Sequence, residues 1–307
     1  MTNTTSIDQL NQQFGFNTGP NKLSIINGEG DIGRINIENQ QATASISLQG
    51  AHLLSWIPDN ADEVIWLSEQ ASFASGKSVR GGIPICWPWF GPHESNAQYP
   101  AHGFARTVIW QLTNTRALSA DETEISFKLE TASLDQKYQA MCPQPLTAEY
   151  IISIGKRLSM KLITHNNGQQ AVSLGQALHT YFKVDDITDT TVRGLENKEY
   201  LDKTDDFSRK TQSGPVIIEQ EVDRIYLQTA DQLIIDNNIR KIIISKQGSE
   251  STVVWNPGKA VAEKMGDLGE QGYQKMLCVE SANAAEDIRQ IEAGQSHQLQ
   301  VTYEIEG

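Results

Sequence analysis

The chain has little cysteine. Cys86, Cys142 and Cys278 are scattered through 307 residues with no paired spacing, so neither a disulfide framework nor a cysteine-based metal site is indicated. Long apolar runs are missing too: nothing approaches the roughly 18 consecutive apolar residues of a membrane-spanning helix. The opening stretch MTNTTSIDQLNQQF lacks the basic and apolar regions of a secretion signal. Positive charge is scarce, with 25 Lys and Arg against 38 Asp and Glu and a formal net charge of −13. That balance argues against nucleic acid or an anionic membrane as a partner. HExxH and phosphate-loop patterns do not occur, which removes the usual signatures of zinc hydrolases and phosphate-loop nucleotide enzymes. These absences point to a reducing cytoplasm as the expected location, and the chain is expected to be a monomer.

Period-two alternation is abundant. Ala42, Ala44, Ile46 and Leu48 point one way while Thr43, Ser45 and Ser47 point the other. The pattern recurs in Ile125, Phe127 and Leu129, in Tyr150, Ile152 and Ile154, in Leu158, Met160 and Leu162, and in Leu299, Val301, Tyr303 and Ile305. Turn signals such as Asn27-Gly28 and Asn166-Asn167-Gly168 separate the runs. Many short strands without intervening helices predict an all-β antiparallel sandwich. Ile7, Leu10 and Phe14 sit at helical spacing, so residues 1–20 are expected to carry a helix packed outside a single domain spanning 1–307. Residues 258–272 read either as a helical turn or as a mobile loop over a site.

The densest chemistry lies in SVRGGIPICWPWFGPH, residues 78–93. Pro84, Pro88 and Pro92 fix φ and remove donors, while Gly81, Gly82 and Gly91 supply conformations that other residues avoid. Aromatic walls with one cation, Arg80, suit a pocket for a polar small molecule. PAHGFAR follows, with His102 beside Gly103 and a second arginine, Arg106. Then come QALHTYFKV, EVDRIY, VVWNPG and MLCVESAN, which carry His179, Asp223, Trp255 and Glu280. Read alone, each has a plain structural account: Glu280 as a strand-edge charge, His179 as a core histidine, the arginines as surface ion pairs. Asp223 has Arg224 beside it as an alternative partner, and Asp202 is a rival acid nearby. Trp87, Trp89, Phe90 and Trp255 are either a floor for a sugar's C–H face or core. His52, His93, His165 and His297 lie outside the motif cores and are taken as structural.

Taken in series, these six segments resemble the hexose-6-phosphate mutarotases (glucose-6-phosphate 1-epimerases), a branch of the aldose-1-epimerase superfamily. The resemblance runs from about Val79 to the C-terminus. It implies a large twisted antiparallel β-sandwich, the galactose-mutarotase-like supersandwich, with the site on its concave face. It implies interconversion of the α and β anomers of a hexose 6-phosphate, glucose 6-phosphate foremost, with no cofactor. By the same resemblance Glu280 is the general base, His179 the general acid, Arg80 and Arg106 hold the phosphate, and Asp223 binds sugar hydroxyls. The ordinary near-neutral pKa of histidine fits the acid role, and partial burial would raise Glu280 toward a useful base. His102 competes for the acid role, although its place beside Gly103 suits a substrate hydrogen bond better. Fungal-type members often carry a glutamine directly before the His-Gly pair. This chain has Ala101 there, which leaves a phosphate site resting more heavily on the arginines. An epimerase for unphosphorylated aldoses and a non-catalytic carbohydrate-binding protein are the alternatives. The first gives the arginines no anion, and the second has no use for a matched acid and base.

Overall fold

A computed structural model describes residues 6–230, 232–238 and 240–307; residues 1–5, Asp231 and Ile239 lie outside the described set. The helix expected within residues 1–20 spans Ile7–Phe14, so the expectation's first five residues fall outside the described set. A capping box starts the helix: Ser6 Oγ accepts from the Gln9 N–H while Gln9 Oε1 accepts from the Ser6 N–H. It is shorter than expected at its other end, because Phe16–Thr18 turns into a strand paired with Asn21–Asn27.

Alternation builds the largest sheet. In Thr123–Glu130, Leu146–Ile154 and Leu158–Asn166 every second side chain is buried, and antiparallel register aligns them in rows. Ile125 faces Ile152, Ile152 faces Met160, and Met160 faces Val301 of Ser296–Glu306. This is the apolar half of a half-buried antiparallel sheet of nine strands. A second sheet has eight strands, seven of them ordered from Ser208–Thr211 through Glu199–Asp202, Val222–Leu227, Ser251–Asn256, Met276–Asn283 and Gln176–Leu178 to Ile85–Cys86, with Tyr181–Lys183 also paired to Met276–Asn283. Its inward side chains, among them Val279, Leu277, Val254 and Tyr226, join those rows in one large core. A five-stranded sheet running from Phe16–Thr18 to His52–Pro58 adds Ile25, Ile35, Ile46 and Trp56 to the same core. All of these pairings are antiparallel, as the alternation predicts. No helix among the described residues is long and apolar enough to cross a membrane.

One charge enters the core that the alternation did not announce. Lys246 is 9% exposed and lies opposite Val301 on the buried side of the nine-stranded sheet. Its ammonium donates to Thr229 Oγ1, Ser249 Oγ, Thr252 Oγ1 and the Ser251 carbonyl, at 2.6–3.1 Å. Burial pulls its pKa down to about 7. Two of these acceptors belong to Ser251–Asn256 of the eight-stranded sheet, so the amine ties the two sheets together.

Candidate functional site

Strand parity decides which side chains form the site. Met276–Asn283 is buried throughout, but its alternate residues face different layers. Leu277 and Val279 enter the main core, whereas Cys278 and Glu280 point to the other face of the sheet. Register carries that face sideways. Glu280 lies opposite Val253, Cys278 opposite Trp255 and Tyr181, and Trp255 opposite Asp223. His179, between Ala177 and Tyr181, belongs to the same face. The result is a patch with His179, Glu280, Cys278, Asp223, Tyr181 and Trp255 over small apolar groups such as Ala177 and Val253.

The segment 78–93 and the 100–106 motif close over this patch. Two glycines are required there. A Cβ on Gly82 would lie 2.3 Å from His52 Nε2, and one on Gly103 would lie 1.9 Å from the Trp87 carbonyl oxygen; both residues also have positive φ. His102 adopts φ +67° without glycine's freedom, a strained conformation held by its neighbours. Its Nδ1 accepts from the Gly91 N–H at 3.3 Å, so the ring proton sits on Nε2. Burial, then the charges of Arg106 and Lys203, pull His102 down to about 3. It is therefore a neutral hydrogen-bond donor at working pH rather than a proton source.

His179 and Glu280 meet directly. Nε2 lies 3.2 Å from Oε1, with the Glu280 residue 1% and the His179 residue 8% exposed. His179 stacks on Tyr181 with centroids 5.0 Å apart, and Trp255 meets its ring edge-on. Burial raises Glu280 well above the ordinary carboxyl value, and Asp223 adds to the rise. Burial also drives His179 well below 6.5, helped by His102, Arg106 and Arg80. The near-neutral value expected for His179 is thus corrected: a desolvated ring facing cations resists a charge of its own. Together the two groups hold one proton as a neutral pair. The other ends of both groups, Glu280 Oε2 and His179 Nδ1, are buried without a hydrogen-bond partner among the described residues. Such atoms are uncommon in folded proteins and mark where a polar ligand would be satisfied.

The remaining expected residues divide. Asp223 accepts from Lys203 Nζ at 2.6 Å. Its sequence neighbour Arg224 turns to the opposite face, over the Tyr200 ring and onto Gln212, so Lys203 rather than Arg224 is the partner. Asp202 also faces away, bound to Lys210 and Thr204. Arg106 donates one bond, 2.9 Å, to the exposed carbonyl of Ala101, which leaves most of its donors available. Arg80 is engaged through Nη1 on Tyr181 Oη at 3.0 Å and Nε on Asp267 at 3.1 Å. Asp267 comes from the stretch 258–272, which combines the helical turn Gly258–Ala262 with a loop. Of the aromatic candidates, Trp255 and Phe90 border the site, whereas Trp87 is fully buried in the main core and bonded to Thr164. Tyr181, Lys203 and Asp267 are site residues that the motifs did not single out.

His179, Cys278 and Glu280 also place one ligand atom each within 4.8 Å of one another. Burial raises the Cys278 thiol and the Glu280 carboxyl well above their ordinary values, so any cation there would have to displace both protons.

The aldose 1-epimerase family model matches residues 33–304. A protein of Escherichia coli strain K12, provisionally named glucose-6-phosphate 1-epimerase, is 36% identical over 83% of this chain and 85% of its own. A similarly named protein of Cenchrus ciliaris is 36% identical over 78% of this chain and 74% of its own. A crystal structure from Salmonella typhimurium, described provisionally as a mutarotase, superposes with a TM-score of 0.85 at 31% identity, covering 95% of both chains.

Proposed function

The chain belongs to the aldose 1-epimerase family, and we propose that it interconverts the α and β anomers of a hexose 6-phosphate, glucose 6-phosphate foremost. The observation that carries this reading is the buried His179–Glu280 pair at 3.2 Å. Anomer exchange moves one proton off the C1 hydroxyl and another onto the ring oxygen O5. Both oxygens are bonded to C1, so an acid and a base must stand side by side.

Glu280, as carboxylate, takes the proton from the C1 hydroxyl while His179, as imidazolium, gives its proton to O5. The C1–O5 bond breaks and C1 becomes an aldehyde. Rotation about C1–C2 presents the other carbonyl face to the O5 hydroxyl. On reclosure the neutral imidazole takes the O5 proton back, and the protonated carboxyl returns one to the new C1 oxygen. Atoms and charges balance, and the pair ends as it began. The reactive imidazolium–carboxylate form has the same proton count as the neutral resting pair, so only an internal transfer separates them. His102, with its proton on Nε2, donates to a sugar oxygen. Asp223 accepts from sugar hydroxyls, and Trp255 borders the sugar.

A net charge of −13 opposes an anionic substrate, so phosphate recognition rests on local cations. Arg106 offers planar paired donors that match two phosphate oxygens. Arg80 contributes once the anion replaces Asp267. The test is kcat/KM for glucose 6-phosphate and glucose with Arg106→Ala and Arg80→Ala. Arg106→Ala should weaken the phosphorylated sugar by about 1.5–3 kcal/mol, roughly 10–150-fold, with little effect on glucose. Arg80→Ala should harm both sugars, since it also releases Tyr181 from beside His179, and glucose 6-phosphate more. Arg106→Lys should rescue only part of the loss. Equal losses on both sugars in Arg106→Ala would make that arginine structural and remove the basis for phosphate selectivity.

A further inference from the structure

Lys203 enters the site from the outermost part of the eight-stranded sheet. Glu199–Asp202 pairs with Val222–Leu227, with Leu201 opposite Ile225 and Asp202 opposite Arg224. Asp202 and Arg224 face away from the site, while Lys203 turns back and grips Asp223 at 2.6 Å. Both side chains are about a fifth exposed, 24% and 18%, so water screens the contact only partly.

The ionisable groups around the Glu280 carboxyl come from every neighbouring element. His179 stands at the end of Gln176–Leu178, Tyr181 begins Tyr181–Lys183, and Cys278 precedes Glu280 on its own strand. Cys86, Tyr303, Asp223, Lys203 and Arg106 complete the set. Burial keeps the two cysteines and both tyrosines neutral, and His179 is neutral at rest. Formal charge at the base therefore reduces to one anion, Asp223, against two cations, Lys203 and Arg106. Arg106 is committed to substrate in the reading above, which leaves Lys203 as the resident counter-charge.

We propose that Lys203 is a positioning residue for the base: by pinning Asp223 and cancelling its charge, it sets how readily Glu280 passes its proton to His179. The proposal rests on Glu280 being the base. Without Lys203, the uncompensated Asp223 carboxylate, two strands away on the same face, would act on a carboxyl that must ionise in every turnover, and like charges oppose that ionisation. The same ion pair orients Asp223 toward the sugar, so Lys203 would couple hydroxyl recognition to base strength. The field at Glu280 agrees in direction, with Asp223 raising its pKa and Lys203 lowering it.

The test uses Lys203→Met, Lys203→Arg and the double variant Lys203→Met/Asp223→Asn. Two readings are taken: the pH profile of kcat/KM for glucose 6-phosphate, and a substrate-free carbon-13 NMR titration of the Glu280 carboxyl, assigned by its loss in Glu280→Gln. In Lys203→Met the carboxyl titration and the alkaline limb should both move up by roughly one pH unit, and kcat at neutral pH should fall about tenfold. Lys203→Arg should restore both. The double variant should bring the titration back toward wild type while KM stays raised, because Asp223 is gone. An unmoved Glu280 titration in Lys203→Met overturns the proposal whatever the activity does. A shifted titration in a protein whose wild type shows no mutarotation leaves the coupling standing and sinks the functional reading instead.

Discussion

Glu280→Gln is expected to slow mutarotation by at least about 10²-fold, the scale of a lost general base, while the folded protein is at least as stable as wild type at neutral pH. The substitution keeps shape and burial and removes only the ability to take a proton. The stability half follows from the sign of the pKa shift. Burial raises the folded-state value of Glu280 well above the ordinary 4.5, so above pH 4.5 the folded state binds more protons than the unfolded state. Stability then falls as pH rises through that window, and wild type carries this penalty at pH 7. Glutamine does not titrate, so the melting temperature of the variant should equal or exceed wild type at pH 7, and its advantage should shrink as pH falls toward 4.5. A dead variant that is also markedly less stable would mean that Glu280 is a structural group. Near wild-type rates in the folded variant would remove it from the chemistry.

His179→Asn should reduce the rate by a similar factor, at least about 10²-fold, and here the pH profile adds a second readout. The wild-type pair works while it holds one proton. A second proton must go onto a ring that burial and nearby cations hold well below 6.5, so the acid limb of kcat/KM should lie below that value. The last proton leaves a carboxyl raised well above 4.5, so activity is lost on the alkaline side only beyond that raised value. A broad plateau between two separated limbs is the expected shape. His179→Asn should lose the rate across the whole plateau. If His179→Asn kept full activity while His102→Asn was dead, the acid role would pass to His102, against the tautomer that its Gly91 contact dictates.

Much of the sheet architecture was legible because alternation is a local property. The run Ile125, Phe127, Leu129 became every second residue of Thr123–Glu130 facing the core. The helix was legible from the spacing of Ile7, Leu10 and Phe14, but the expected segment overran its end, where strand pairing took Phe16. His179 and Glu280 were legible through their motifs, but their contact was not. It depends on Gln176–Leu178 and Met276–Asn283 being sheet neighbours, with about a hundred residues between them. Lys203 and Asp267 were missed for the same reason. Period two says that Asp202 and Lys203 face opposite ways, but only the register with Val222–Leu227 says which one faces the sugar. Asp267 reaches Arg80 across 187 positions of sequence, from a loop with no periodicity to read. The charge states of His179 and Glu280 were misjudged in degree, because desolvation depends on layers that a single strand does not reveal.

The most direct test of the account is the approach to anomeric equilibrium of freshly dissolved α-glucose 6-phosphate and α-glucose, followed side by side by polarimetry or NMR. The account predicts that catalytic amounts of this protein speed equilibration of the phosphorylated sugar far beyond its spontaneous rate and leave glucose close to its own. Equal acceleration of both sugars would contradict the phosphate assignment, and acceleration of neither would contradict the reading of His179 and Glu280 as an acid–base pair.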